Sequence, residues 1–317
     1  MHPAFASPLR RWLYAVKPAS WPKVLAPALL GQVLGYMSAG TWSWGGAAVG
    51  LAFAACATCY VVLLNDWFDA DVDAIKRQMF PEAGSPKTIP DGVLPAESVM
   101  LAGAGFGTMA AAIALCGELF LPGRAGLALA GLAALLLLVV YSAPPIRVND
   151  RGGGELVEAA GVGLLVPWLS AYAQSGHATS SWYAWALPGL ALLALSSAVA
   201  SGLSDEESDR RAGKRTLTTL LGNDVARRTA EYAAFAGLVA WMLAVRLSGG
   251  AFPIVPAQAA LLAAALPWRD MMRESPHALT NRFKSQARYK TALHRLVWGA
   301  TLVLAVGLVA ARWLGWA

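Results

Sequence analysis

The sequence predicts an all-α, polytopic membrane protein, and three observations carry that prediction. Of its 317 residues, 57% are hydrophobic and only 14% charged, against about 25% charged in ordinary soluble domains. Mean hydropathy is +0.50 over the whole length, so lipid solvates most of the chain rather than one anchor. Apolar runs recur evenly from about residue 20 to residue 313. No composition break parts them, so residues 1–317 read as a single transmembrane domain.

A spanning helix needs roughly 20 mostly apolar residues. In chain order the candidate spans are 22–40, 45–67, 97–119, 124–142, 155–175, 182–204, 226–246, 251–268 and 291–313, nine in all. The eighth is the weakest, being short and interrupted by Pro253, Pro256 and Pro267. Ahead of the first, residues 5–22 mix Arg10, Arg11 and Lys17 with Phe5, Leu9, Trp12, Leu13 and Tyr14. That composition suits a short helix lying among lipid headgroups and not a cleavable signal peptide.

Charge then sets the orientation. With the N-terminus inside, 22 of the 25 basic residues fall on the inside, leaving only Arg124, Arg246 and Arg312 outside. Positive residues mark cytoplasmic loops, so the N-terminus and the long polar loops are expected in the cytoplasm and the C-terminus outside. A bacterial-type inner membrane fits. Because the basic residues follow the loops, the net charge of +6 points to membrane lipid and not to nucleic acid. The basic loop 269–290 is read as contacting lipid headgroups. His2, His177, His277 and His294 are scattered, and Cys56 and Cys59 form a CxxC with no second pair, so neither a heme nor a zinc site is indicated.

Two acidic clusters stand out at helix ends. The second span ends in LLNDWFDADVDAIKR, which puts Asp66, Asp69 and Asp73 at i, i+3 and i+7, on one helical face, with Asn65 beside them. The sixth ends in SGLSDEESDRRAGKRTL, with Asp205 and Asp209 at i and i+4. Carboxylates near lipid are costly unless partnered. Five of them at one membrane face imply a cation between, and an all-oxygen set suits magnesium with phosphate oxygens. Lys76, Arg77, Lys87, Lys214 and Arg215 follow the clusters and can grip a diphosphate. Glu206 and Glu207 read as solvated. A transporter is the rival of another class, although transporters place such acids near the bilayer midplane.

These residues resemble the UbiA superfamily of intramembrane prenyltransferases. The motif NDxxDxxxD reads as Asn65, Asp66, Asp69 and Asp73. DxxxD reads as Asp205 and Asp209, and YSxPPxR as Tyr141, Ser142, Pro144, Pro145 and Arg147. The resemblance implies nine helices around a central cavity, whose mouth binds Mg2+ through the five aspartates. It implies an allylic prenyl diphosphate as donor and a lipophilic, aromatic acceptor. Asn65, Lys76, Arg77, Lys87, Tyr141, Arg147, Lys214 and Arg215 would bind substrate, and Trp67, Phe68 or Tyr141 would face the allylic cation. KTIPDG, residues 87–92, stands where the family has RPIPSG. RGGGE, residues 151–155, is similar to the dihydroxynaphthoate prenyltransferases, while chlorophyll synthases share YSAPP. A cyclase of the same fold, acting without acceptor, stays open.

Overall fold

The computed structural model describes residues 7–81 and 86–316, and all statements below concern these; Phe5 and His2 lie outside them. The described chain is helical throughout, and its extended contact is a single isolated bridge between Arg151 and Arg215. Helix α1 (Pro8–Val16) begins at Ser7, whose hydroxyl accepts from Arg10 N, and ends where Lys17 turns left-handed at φ 47°. It does more than lie among headgroups. Ala15, Trp12 and Val16 pack on Leu63, Ile89, Leu94 and Val99, while Leu9 and Leu13 stay exposed on the other side.

Helices occupy every expected window: α2 (Pro22–Ala39), α3 (Trp44–Phe68), α5 (Ala96–Phe120), α6 (Leu127–Ser142), α7 (Gly154–Ala160) running on through α8 (Val166–Ser175), α9 (Ser181–Gly202), α12 (Asn223–Leu247), α13 (Ile254–Glu274) and α14 (Phe283–Trp313). Six of them, counting Gly154–Ser175 as one, are long and apolar enough to cross a membrane; Leu127–Ser142 is apolar but shorter. Pro22–Ala39 and Ile254–Glu274 fall below that measure, so the expected count of nine spans is not established. Short helices α4 (Ala70–Met79), α10 (Glu206–Arg211) and α11 (Leu217–Leu221) lie at the ends of the long ones.

Small residues let the helices close on one another, as in lipid they must. A Cβ at Gly31 would meet the carbonyl oxygen of Pro167 at 2.1 Å, and one at Gly35 that of Ala171 at 2.5 Å. Between them Gln32 donates to Ser170 Oγ at 2.8 Å, so α2 and α8 share a buried polar bond as well as backbone contact. Pro167 also explains the join between α7 and α8. Its missing N–H and its ring displace the regular ladder, and residues Gly161–Leu165 widen into a π turn.

The α13–α14 connection differs from its expected form. Both helices run past the apolar windows, so the link shrinks to residues 275–282. It does not simply face lipid. Thr280 Oγ1 donates to Glu206 Oε2 at 2.6 Å, Asn281 donates to Glu207, and Gln286 donates to Leu203 O at 2.9 Å. Glu206 is therefore a buried clasp for this link and not a solvated residue.

Candidate active site

The first acidic motif straddles a helix joint. α3 ends at Phe68, Asp69 takes up the cap at φ −95° and ψ 8°, and α4 starts at Ala70. Asp73 N still donates to Asp69 O at 2.8 Å, so Asp69 and Asp73 keep helical register. The second motif is built alike. α9 ends at Gly202, Asp205 caps α10, and Asp209 N donates to Asp205 O at 2.8 Å. α4 packs on α10, which brings the two motifs to one place.

A cavity of about 220 Å³ lies between them, walled among others by Asn65, Asp69, Asp73, Lys76, Lys87, Tyr141, Asp205, Asp209 and Lys214. Asn65 donates to Asp69 Oδ2 at 3.3 Å, and Ser142 Oγ donates to Asn65 Oδ1 at 3.1 Å. The serine of YSxPPxR thus aims the asparagine, which aims the aspartate. Lys87 Nζ pairs with Asp73 at 2.5 Å, Lys76 with Asp205, and Lys214 with Asp69 and Asp150 at 3.4 Å each.

Other expected site residues stand elsewhere. Asp66 is buried but is not a wall of the cavity; its carboxylate is occupied by Lys17 and by Thr88 Oγ1 at 2.7 Å. Arg77 is drawn off to Asp91 at 2.5 Å, which Tyr14 also reaches. Arg147 sits at the rim, 3.6 Å from Asp69 and 2.9 Å from Asp150. Arg215 is exposed, and its backbone N–H donates to Asp150 O at 3.0 Å. Of the three aromatic candidates only Tyr141 reaches the cavity; Trp67 and Phe68 pack on each other, their rings 4.8 Å apart.

Sequence reading missed Asn149, Ser201, Ser208 and Thr216 as walls, and left Glu155 and Glu158 unassigned. Their spacing repeats no motif: α7 supplies Glu155 and Glu158, α9 Ser201, α10 Ser208, and the segments before α7 and α11 Asn149 and Thr216. Glu155 spends one oxygen on Leu217 N, at 2.8 Å, and so starts α11.

Electrostatics test whether magnesium suits these residues. The cavity is lined by six carboxylates (Asp69, Asp73, Glu155, Glu158, Asp205 and Asp209) against three ammonium groups (Lys76, Lys87 and Lys214). Burial holds the Asp69 carboxyl above the usual range and pushes Asp209 up to about 6 although Lys214 and Lys76 stand near. These acids have less positive charge around them than their burial calls for. Among the described residues no three ligand-type side chains close into a ready-made metal cage; lysines stand between the acids. The donor set is all oxygen and short of cations, which fits magnesium arriving with phosphate oxygens.

Comparison with known proteins gives the family and the fold. The chain is similar to the chloroplastic chlorophyll synthase of Arabidopsis thaliana, 27% identical over 223 residues, 68% of this chain and 54% of that protein. It therefore spans about half the length of the chlorophyll synthases it matches. It is 30% identical to a lycopene elongase/hydratase of Halobacterium salinarum, over 81% of this chain and 84% of that one. A UbiA homologue from Archaeoglobus fulgidus, solved bound to DMAPP and Mg2+, shares the fold with a TM-score of 0.61 at 16% identity, over 95% of this chain and 99% of that one. A family model described as the UbiA prenyltransferase family matches residues 24–292. The chain is an integral membrane protein that belongs to the UbiA prenyltransferase family.

Proposed function

We propose that the protein moves a prenyl group from an allylic prenyl diphosphate to a lipophilic, aromatic, quinone-precursor-like acceptor, with magnesium. One observation carries this reading: two acidic helix ends meet at one polar cavity of an otherwise apolar bundle, with carboxylates in excess of lysines. The family supports it, as do relatives named for chlorophyll synthesis and lycopene elongation. The distribution of basic residues supports a cavity open to the cytoplasm.

Asp69, Asp73, Asp205 and Asp209 would hold the metal. Bound magnesium supplies charge neutralisation to the diphosphate as its bond to the prenyl carbon breaks. Lys76, Lys87 and Lys214 stand among these acids, paired with Asp205, Asp73 and Asp69, and would grip the non-bridging oxygens of the diphosphate. The Ser142–Asn65 chain keeps Asp69 aimed before substrate arrives, so little reorganisation is needed. Tyr141, at the cavity wall, offers its ring face to the allylic carbon as positive charge develops. The surrounding apolar helices keep water from that carbon.

The test is a mass-spectrometric screen of purified protein with several prenyl diphosphates and a panel of aromatic acceptors, with and without magnesium. A prenylated acceptor formed only with magnesium is expected. Cyclised prenyl products without acceptor, or no release of diphosphate at all, would end this reading.

A further inference from the structure

One carboxylate outside the cavity gathers side chains from two helices and also holds the main chain of Lys87. Asp91 lies in the turn KTIPDG between α4 and α5. Its Oδ2 accepts from Lys87 N at 3.0 Å, and its own N–H donates to Lys87 O at 2.9 Å. Gly92 N donates to Ile89 O at 2.9 Å across Pro90, which closes the turn with Gly92 at φ 65°. Both polar backbone groups of Lys87 are therefore bound to a single residue.

The same carboxylate takes donors from elsewhere in the fold. Arg77 of α4 donates Nε to Oδ1 at 2.5 Å and Nη2 to Oδ2 at 2.8 Å, the two-pronged grip of a guanidinium. Tyr14 of α1 donates its hydroxyl to Oδ2 at 2.5 Å. The Asp91 side chain is only 13% exposed, so these bonds are weakly screened by solvent. α4 also carries Asp73, four residues before Arg77 and on the same face. Lys87 Nζ meets that residue, a wall of the cavity, at 2.5 Å. The Lys87 segment is thus fastened to α4 twice, by its backbone through Asp91 and Arg77 and by its side chain through Asp73. Only the second fastening lies in the cavity. A diphosphate that draws the ammonium off Asp73 leaves the first intact. Lys87 then reaches for phosphate oxygen from a fixed backbone, without the ordering entropy of a free loop.

We propose that Asp91 is a positioning residue for the donor: held by Arg77 and Tyr14, it fixes the backbone of Lys87 so that the ammonium meets the diphosphate. It acts through Lys87 and touches no substrate itself. This rests on the reading of Lys87 as a diphosphate ligand given above. Asp91 stands at the serine of RPIPSG, so the clasp does not follow from that motif.

The experiment measures binding of geranyl thiolodiphosphate, whose C–S bond resists cleavage, by isothermal titration calorimetry. It uses the purified full chain in detergent with magnesium, as the unaltered protein, Asp91→Asn, Lys87→Met and the double variant. Asp91→Asn should weaken binding about fivefold and Lys87→Met about tenfold, as loss of charge-assisted contacts predicts. The double variant should bind as Lys87→Met does, because residues that act through one contact are not additive. Unaltered affinity in Asp91→Asn, or a further loss of about fivefold in the double variant, would overturn the proposal. If Asp91→Asn does not purify as a folded species, Tyr14→Phe runs the same cycle, with a loss of about threefold expected only where Lys87 is present. No loss in either background, or the same loss in both, would overturn it there. Release of diphosphate from geranyl diphosphate by the unaltered chain reports on the transfer reading separately: the expected binding cycle without release keeps the role of Asp91 and ends the transfer.

Discussion

Asp66 and Asp209 belong to the same pair of motifs, yet their surroundings predict opposite consequences for the same change to asparagine. Asp66 faces Lys17 and Thr88, with the Lys17 and Asp66 side chains 17% and 4% exposed. Removing one partner of a buried pair costs about 3–5 kcal/mol. Lys17 regains part of its hydration because it is not fully enclosed, which leaves about 2–3 kcal/mol. Asp66→Asn should therefore lower the midpoint of thermal unfolding by about 3–5 °C, with the magnesium concentration for half-activation little changed. Asp209 differs in sign. Its folded pKa of about 6 lies above the usual 3.8 because burial disfavours the carboxylate. Its contribution to stability is full below the unfolded value and is lost as pH rises through about 6. At neutral pH the amide removes that loss, so Asp209→Asn should match or exceed the parent in thermal stability while losing magnesium-dependent turnover. Differential scanning fluorimetry in detergent, paired with magnesium titrations of diphosphate release, reads both. An Asp66→Asn variant that unfolds at the parent temperature but needs far more magnesium would refute the reasoning, because it would make Asp66 a ligand and not a strut.

Three further outcomes follow from single contacts. Ser142→Ala deletes the 3.1 Å bond that aims Asn65, worth about 1 kcal/mol, so kcat should drop roughly fivefold with the unfolding midpoint nearly unchanged. Lys87→Met should raise the KM for prenyl diphosphate about tenfold, and Lys87→Arg should restore most of it; steady-state kinetics in detergent distinguishes them. Gly31→Ala sets a methyl 2.1 Å from the Pro167 carbonyl oxygen, a backbone atom that cannot step aside. It should destabilise the chain by about 3 kcal/mol or more, seen as loss of the monodisperse peak in size-exclusion chromatography.

The fold was largely legible because lipid imposes a simple rule: helical segments must be apolar and about 20 residues long. Helices occur in all nine windows, although α2 and α13 are not apolar enough, and α6 not long enough, to count as spans on their own. Termini were less legible. Polar stretches such as RDMMRE and FKSQARYK extend α13 and α14 past their apolar runs, since helix propensity does not stop where hydropathy does. At the candidate site, motif spacing pointed to Asp69, Asp73, Asp205 and Asp209, which the fold brings to one cavity, because i+4 neighbours share a face whatever the helix packs on. Asp66 shares that spacing, yet its carboxylate meets Lys17 and Thr88 and does not line the cavity. Nothing in the residue pattern told that Arg77 would be claimed by Asp91, or that Glu158 and Ser201 would wall the cavity. Those facts depend on long-range packing, which local periodicity does not encode.

Acids from two separate helix ends are proposed to hold divalent ions jointly, and most tightly beside a diphosphate. Electron paramagnetic resonance of Mn2+ added to the purified chain, with and without geranyl diphosphate, measures this directly. Protein-bound Mn2+ is expected to tighten when the diphosphate is present and to be lost in both Asp69→Asn and Asp209→Asn. Mn2+ held equally well by those two variants, or bound with no dependence on diphosphate, would contradict it.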